Sequence, residues 1–215
     1  MPQIQALLFD MDGVVIDSEP IHEEAQRIIF REHDLPVPES EFSSFKGMTE
    51  VKVFERIVSE FGSGRHDVAT LVEAKETTFR RLLGDLELVP GVLDLIRRSR
   101  ARYRMALTTS SARSNQQFAF DKFDLGPYFE VVVTAEDIEH PKPHPQPYQT
   151  TAERMGLDPS VCLVLEDSLH GVRSAQRAGC RVAGITTSFS ANELIEAGAH
   201  LIFDTYDELE AQLGG

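Results

Sequence analysis

Six short runs of the chain have the apolar pattern of buried strands. They are IQALLFD (4–10), RMALTTS (104–110), EVVVTA (130–135), VCLVLED (161–167), RVAGITT (181–187) and HLIFD (200–204). Most are continuous rather than alternating, as in strands covered on both faces. Between them from residue 88 onward lie helical patterns: GVLDLIRRSRA (91–101), ARSNQQFAFDKFD (112–124), QPYQTTAERMG (146–156), LHGVRSAQRAG (169–179) and SANELIEAG (190–198). Gly156, Gly179 and Gly198 fall where helix C-caps belong. Alternating strand and helix predicts a doubly wound α/β fold, a parallel sheet with helices on both faces.

Residues 18–86 carry helical periodicity and no convincing strand, in EPIHEEAQRIIFREHD, MTEVKVFERIVSEFG and DVATLVEAKETTFRRLLGD. The expected organisation is therefore an α/β domain made of 1–16 and 87–215, interrupted after its first strand by a helical module at 17–86. Pro90 and Gly91 mark the return and open the next helix.

Composition narrows the function. Of 215 residues 41% are apolar, enough for a sizeable core, and the net charge is −14. That balance argues against nucleic-acid and anionic-membrane partners, which want a basic face. It leaves room for a small anionic substrate in a locally positive pocket. The apolar runs fall far short of a bilayer span of about 20 residues, and MPQIQALLFD has no basic region of a signal peptide. Cys162 and Cys180 sit in apolar surroundings without a CxxC spacing. They read as reduced core residues, and the expected compartment is the cytoplasm. A monomer is the default oligomeric state.

Ligands of open α/β sheets bind beyond the carboxyl ends of the strands, so the residues just past each strand carry the chemistry. The first strand ends in Asp10-Met11-Asp12-Gly13. Residues i and i+2 of an extended segment face one side, which lets Asp10 and Asp12 enter one pocket. The second ends in Thr108-Thr109-Ser110-Ser111, whose hydroxyls and helix-opening N–H groups suit an anion. After the third comes Lys142, between Pro141 and Pro143 in a stiffened backbone. The fourth ends in Glu166-Asp167-Ser168. Four carboxylates and one lysine leave the site short of positive charge. Two carboxylates about 4 Å apart repel by roughly 4 kcal/mol at an effective dielectric of 20. A divalent cation would offset them, and all-oxygen ligands favour Mg²⁺ over Zn²⁺. The constellation fits phosphoryl transfer through an aspartyl-phosphate.

FDMDGVVIDSEPIH, LTTSS, HPKPHPQPY and LEDSLHG, in this order, resemble the four motifs of the haloacid dehalogenase superfamily. The helical insert resembles the small cap of its subgroup I, and the best matches are the β-phosphoglucomutase-like and sugar-phosphate phosphatase branch. The resemblance spans essentially the whole chain. It implies that Asp10 is the nucleophile and that Asp12 protonates the leaving oxygen, then activates water. Thr109, Ser110 and Lys142 would bind the phosphoryl group. Asp10, the Asp12 backbone carbonyl and Asp167 would bind Mg²⁺, with Glu166 either a direct ligand or just behind the ligands. The family's dehalogenases lack the second aspartate of the first motif, so Asp12 and the Glu166–Asp167 pair favour phosphate chemistry. Asp17 and Glu19 read as entry residues of the cap, with hinges expected near 14–19 and 84–90.

The same parts serve a phosphatase or a phosphomutase, and the cap decides between them. His22, Lys46 and Lys75 match the mutase pattern. However, Lys46-Gly47-Met48-Thr49-Glu50 places Glu50 where that branch has the arginine that clamps a second phosphate. The expected function is a Mg²⁺-dependent phosphatase acting on a small phosphorylated metabolite, a sugar phosphate; the alternative is a β-phosphoglucomutase-type mutase.

Overall fold

Ala6, Leu7, Leu8 and Phe9 are fully buried and form β1 (Ala6–Phe9). Burying each large side chain contributes about 1.5–3 kcal/mol, which sets the strand at the centre of a core. β1 pairs in parallel on one side with β4 (Arg104–Thr108) and on the other with β6 (Cys162–Glu166). Outside these lie β5 (Val131–Val133) on one edge, then β7 (Arg181–Ile185) and β8 (Leu201–Phe203) on the other. The order across the six-stranded parallel sheet is β5-β4-β1-β6-β7-β8. These are the six strands that the apolar runs predict. The computed structural model describes residues 3–45, 48–62 and 66–214.

Phe9 is level with both Leu107 and Leu165 in the sheet register. Asp10, Thr108 and Glu166 therefore leave three adjacent strands at one height. This register is what assembles the site.

The helices of this α/β unit are α4 (Val92–Ser99), α5 (Arg113–Phe123), α6 (Gln146–Met155), α7 (Leu169–Ala178), α8 (Ala191–Ala197) and α9 (Tyr206–Gln212). Gly156, Gly179 and Gly198 do cap α6, α7 and α8, each with positive φ. One face of the sheet buries Leu8, Val164 and Val182 against Tyr148, Ala152, Val172, Ala175 and Leu194. Cys162 and Cys180 lie in this cluster as free thiols, their pKa values pushed by burial to about 11 and about 12.

Two features escape the periodicity. α9 presents few apolar positions, chiefly Tyr206 and Leu209. A two-residue ribbon pairs β2 (Ile16–Asp17) antiparallel with β3 (Glu87–Leu88), too short to show any alternation. Asp17 thus belongs to this ribbon.

The chain divides into two compact units, residues 1–17 with 87–215, and Ser18–Leu86. The second is helical: α1 (Glu19–Glu32), α2 (Glu50–Phe61) and α3 (Val68–Leu82), with a 3₁₀ turn at Glu39–Phe45. Its own core gathers Ile29, Phe30, Phe42, Phe45, Val53, Phe54, Ile57 and Leu71. Thr49 and Asp67 cap α2 and α3 through side-chain oxygens, and Pro20 stands in the first turn of α1. Among the described residues no helix is long and apolar enough to cross a membrane.

Candidate active site

Asp10 follows β1 directly, and its N–H donates to the Leu165 carbonyl at 3.0 Å, prolonging the sheet by one residue. The backbone then turns sharply. The Met11 carbonyl accepts from the N–H groups of Val14, Val15 and Ile16. Gly13 makes the turn with φ +71°, and a Cβ there would lie 1.9 Å from Asp167 Oδ2. A side chain here would collide with the Asp167 carboxylate and be strained at this positive φ. Asp12 Oδ2 accepts from Ser111 Oγ at 2.7 Å.

Thr109 is buried beyond β4, with its N–H on the Val133 carbonyl and its hydroxyl accepting the Ser111 N–H at 2.9 Å. Ser110, next in the same turn, is exposed. Thr108 is a core residue, hydrogen-bonded to Thr151. Lys142 precedes a cis peptide bond to Pro143. Its Nζ donates to Asp10 Oδ1 and to Glu166 Oε1, both at 2.7 Å, and to the Thr108 carbonyl at 3.3 Å.

Glu166 ends β6 and is fully buried. Its Oε1 accepts from Lys142 and from Tyr148 Oη, and its Oε2 from the N–H and the hydroxyl of Ser168. Gly171 in α7 allows this approach, since a Cβ there would fall 1.7 Å from Glu166 Oε1. Asp167 accepts from Ser188 Oγ through Oδ2.

Burial dominates the electrostatics. It raises the Asp10 carboxyl to about 7, opposed by Lys142 and reinforced by Glu166 and Asp12. Burial, Glu166 and Asp10 hold Asp167 well above the usual carboxylate range, with Ser188 and Lys142 opposing. Burial alone would lower the Lys142 pKa, but ion pairing with Asp10 and Glu166 outweighs it and raises the value. Two buried acids that resist ionisation beside one fully engaged lysine mark a shortage of positive charge.

Oxygens of Asp10, Glu166 and Asp167 lie within 4.8 Å of one another. This all-oxygen, buried donor set fits a hard divalent cation such as Mg²⁺. The Asp12 carboxylate is not one of this group.

A model of the haloacid dehalogenase-like hydrolases matches residues 7–185. The chain belongs to this family. A validoxylamine A 7′-phosphate phosphatase from Streptomyces hygroscopicus subsp. limoneus is 31% identical over 88% of this chain and 89% of its own. A fructose-1-phosphate phosphatase from Escherichia coli is 30% identical over 80% of this chain and 92% of its own. Among solved structures, a β-phosphoglucomutase-like protein of Thermotoga maritima superposes with a TM-score of 0.83 at 27% identity, covering 97% of this chain and 98% of that one. The chain is a phosphoric monoester hydrolase of the haloacid dehalogenase type.

The structure thus brings together Asp10, Asp12, Thr109, Lys142, Glu166 and Asp167. Three other predicted residues meet within the helical unit. Lys75 is fully buried, ion-paired with Glu50, and its Nζ lies 2.6 Å from His22 Nδ1. The His22 ring stacks on Phe79 at 4.2 Å. Burial would raise the Glu50 pKa, but His22 and Lys75 together lower it. Lys46 lies outside the described residues.

Tyr148 closes the third motif without a role assigned to it there, Ser188 lies outside the motifs, and Ser111 is named in the sequence only as part of the Thr108–Ser111 strand end. Each holds a site carboxylate through its hydroxyl. Ser111 carries a local signal, two residues past Thr109. Tyr148 and Ser188 stand within a helical run and a loop whose patterns say nothing about polar contacts.

Proposed function

We propose that the chain is a Mg²⁺-dependent phosphatase of a small phosphomonoester, a sugar phosphate, working through an aspartyl-phosphate. Lys142, bonded at 2.7 Å to Asp10 in a buried site, is the observation that carries this reading. It fixes a nucleophilic carboxylate and an ammonium within reach of one phosphoryl group.

A carboxylate oxygen of Asp10 attacks phosphorus and the bond to the ester oxygen breaks. Asp12 gives its proton to the departing oxygen. Water then attacks the phosphorus of the aspartyl-phosphate, Asp12 takes a proton from it, and the bond to Asp10 breaks to release phosphate. Lys142, with Thr109 and Ser110, neutralises and orients the phosphoryl oxygens. Asp10, Asp167 and the Asp12 carbonyl would hold Mg²⁺, which when bound supplies positive charge to those oxygens.

The Glu50–Lys75 ion pair favours a phosphatase over a mutase. Glu50 consumes the charge of Lys75, which leaves less to attract the second phosphate of a bisphosphate. The relatives' named substrates, fructose 1-phosphate and validoxylamine A 7′-phosphate, support a sugar-like ester.

The test is p-nitrophenyl phosphate turnover with Mg²⁺ and with EDTA, in the wild type and Asp10→Asn. Turnover is expected only for the wild type with Mg²⁺; metal-independent turnover or an active variant overturns the mechanism. Conversion of β-glucose 1-phosphate to glucose 6-phosphate without free phosphate would establish the mutase instead.

A further inference from the structure

Tyr148 has no part in the proposed phosphoryl transfer, yet it is fully buried with its hydroxyl 2.7 Å from Glu166 Oε1. It sits in the first turn of α6, on the segment that also delivers Lys142. The Lys142 ammonium lies 5.0 Å from the centre of the Tyr148 ring. One tyrosine therefore touches both partners of the Lys142–Glu166 pair, its ring facing the cation and its hydroxyl the anion.

The bonds on Glu166 give this contact a purpose. A carboxylate offers about four acceptor sites. Lys142 and Tyr148 occupy Oε1, and the Ser168 N–H and hydroxyl occupy Oε2. A Glu166 oxygen could join a cation only by surrendering one of these donors. Asp10 and Asp167, which share the acidic cluster, are less fully engaged: Asp10 Oδ1 accepts from Lys142, and Asp167 Oδ2 from Ser188.

We propose that Tyr148 is a positioning residue that commits Glu166 to Lys142 rather than to the metal ion. Tyr148 thereby fixes the ammonium where the phosphoryl group binds. This rests on the phosphatase reading for the identity of the bound group. The removal of the hydroxyl frees one lone pair on Glu166 and loosens Lys142. Phosphate binding weakens, while the metal site gains a competing oxygen.

The test pairs Tyr148→Phe with the wild type in three measurements. In calorimetry with Mg²⁺ present, the affinity for inorganic phosphate should fall about tenfold. In kinetics with p-nitrophenyl phosphate, KM should rise by a similar factor while kcat stays within about threefold, as expected when uniform binding is lost. In a crystal structure of the wild type with Mg²⁺ and inorganic phosphate, Glu166 should keep its bonds to Tyr148 and Lys142 and stay off the metal. Unchanged phosphate affinity and KM in a folded variant overturn the proposal, whatever happens to thermal stability. A wild-type structure with Glu166 on Mg²⁺ overturns it even where the variant fails to fold. Neither phosphate affinity nor that structure requires turnover, so failure of the phosphatase reading remains separately visible.

Discussion

Ser111 Oγ donates to Asp12 Oδ2 at 2.7 Å, across 99 residues of sequence and between the ends of two adjacent strands. The bond orients the carboxylate proposed to move the proton in both halves of the reaction. A hydrogen bond to a charged group contributes about 1.5–3 kcal/mol, and misplaced proton transfer reaches the rate directly. Ser111→Ala should lower kcat about tenfold with p-nitrophenyl phosphate and change KM by less than about threefold. Wild-type kcat in this variant would show that Asp12 needs no such partner.

Gly171 tests the packing behind Glu166. In an exposed helix, glycine to alanine would stabilise by about 1 kcal/mol. Here the new methyl meets the Glu166 carboxylate at 1.7–2.2 Å. Overpacking a buried site costs typically about 1–3 kcal/mol. Gly171→Ala should lose roughly 2 kcal/mol in urea unfolding and lose activity with it. A stabilised variant would mean that Glu166 shifts freely.

Metal binding should be visible in stability without any turnover. A ligand at about 100 times its Kd stabilises by about 2.7 kcal/mol. In a chain of this size that is roughly 5–10 °C in the thermal midpoint. Saturating Mg²⁺ should raise the midpoint by that order and EDTA should reverse it. Asp167→Asn should abolish the response. An equal Mg²⁺ response in that variant would place the ion elsewhere.

Asp137 provides an acid-stability test away from the site. It accepts from the Thr134 N–H and hydroxyl and pairs with Arg113 and Arg154. Slight burial raises its pKa, but Thr134 and Arg154 prevail and bring it down to about 2. A carboxylate with a lowered folded pKa stabilises the protein above its ordinary value near 3.8. That contribution disappears as pH falls toward 2. Asp137→Asn should cost about 1 kcal/mol at pH 7, given solvent screening, and much less at pH 2. Equal losses at both pH values in chemical denaturation would refute the assignment.

The sheet was legible because its strands are buried on both faces, and continuous runs such as ALLF and CLVLE advertise that environment. Asp10, Glu166 and Asp167 were legible because they end such runs, where an acid has no packing reason to be, and Lys142 because it stands between Pro141 and Pro143. Tyr148 and Ser188 were not. An aromatic residue in a helical run reads as core, and its hydroxyl's partner is set by sheet register rather than by any local pattern. The ribbon of Ile16–Asp17 with Glu87–Leu88 was invisible for a different reason: two residues cannot display a period.

That ribbon also fixes where the chain leaves and re-enters the α/β unit. Asp17 and Glu87 are direct partners in it, so the chain leaves for the inserted unit and returns from it at essentially one point. Strands paired this way stand about 5 Å apart, a gap that a short linker can close. The α/β unit thus carries its reactive groups on a frame that is closed without Ser18–Leu86. A short linker in place of Ser18–Leu86 should therefore leave the α/β unit its sheet, its strand register and the cluster of Asp10, Lys142, Glu166 and Asp167.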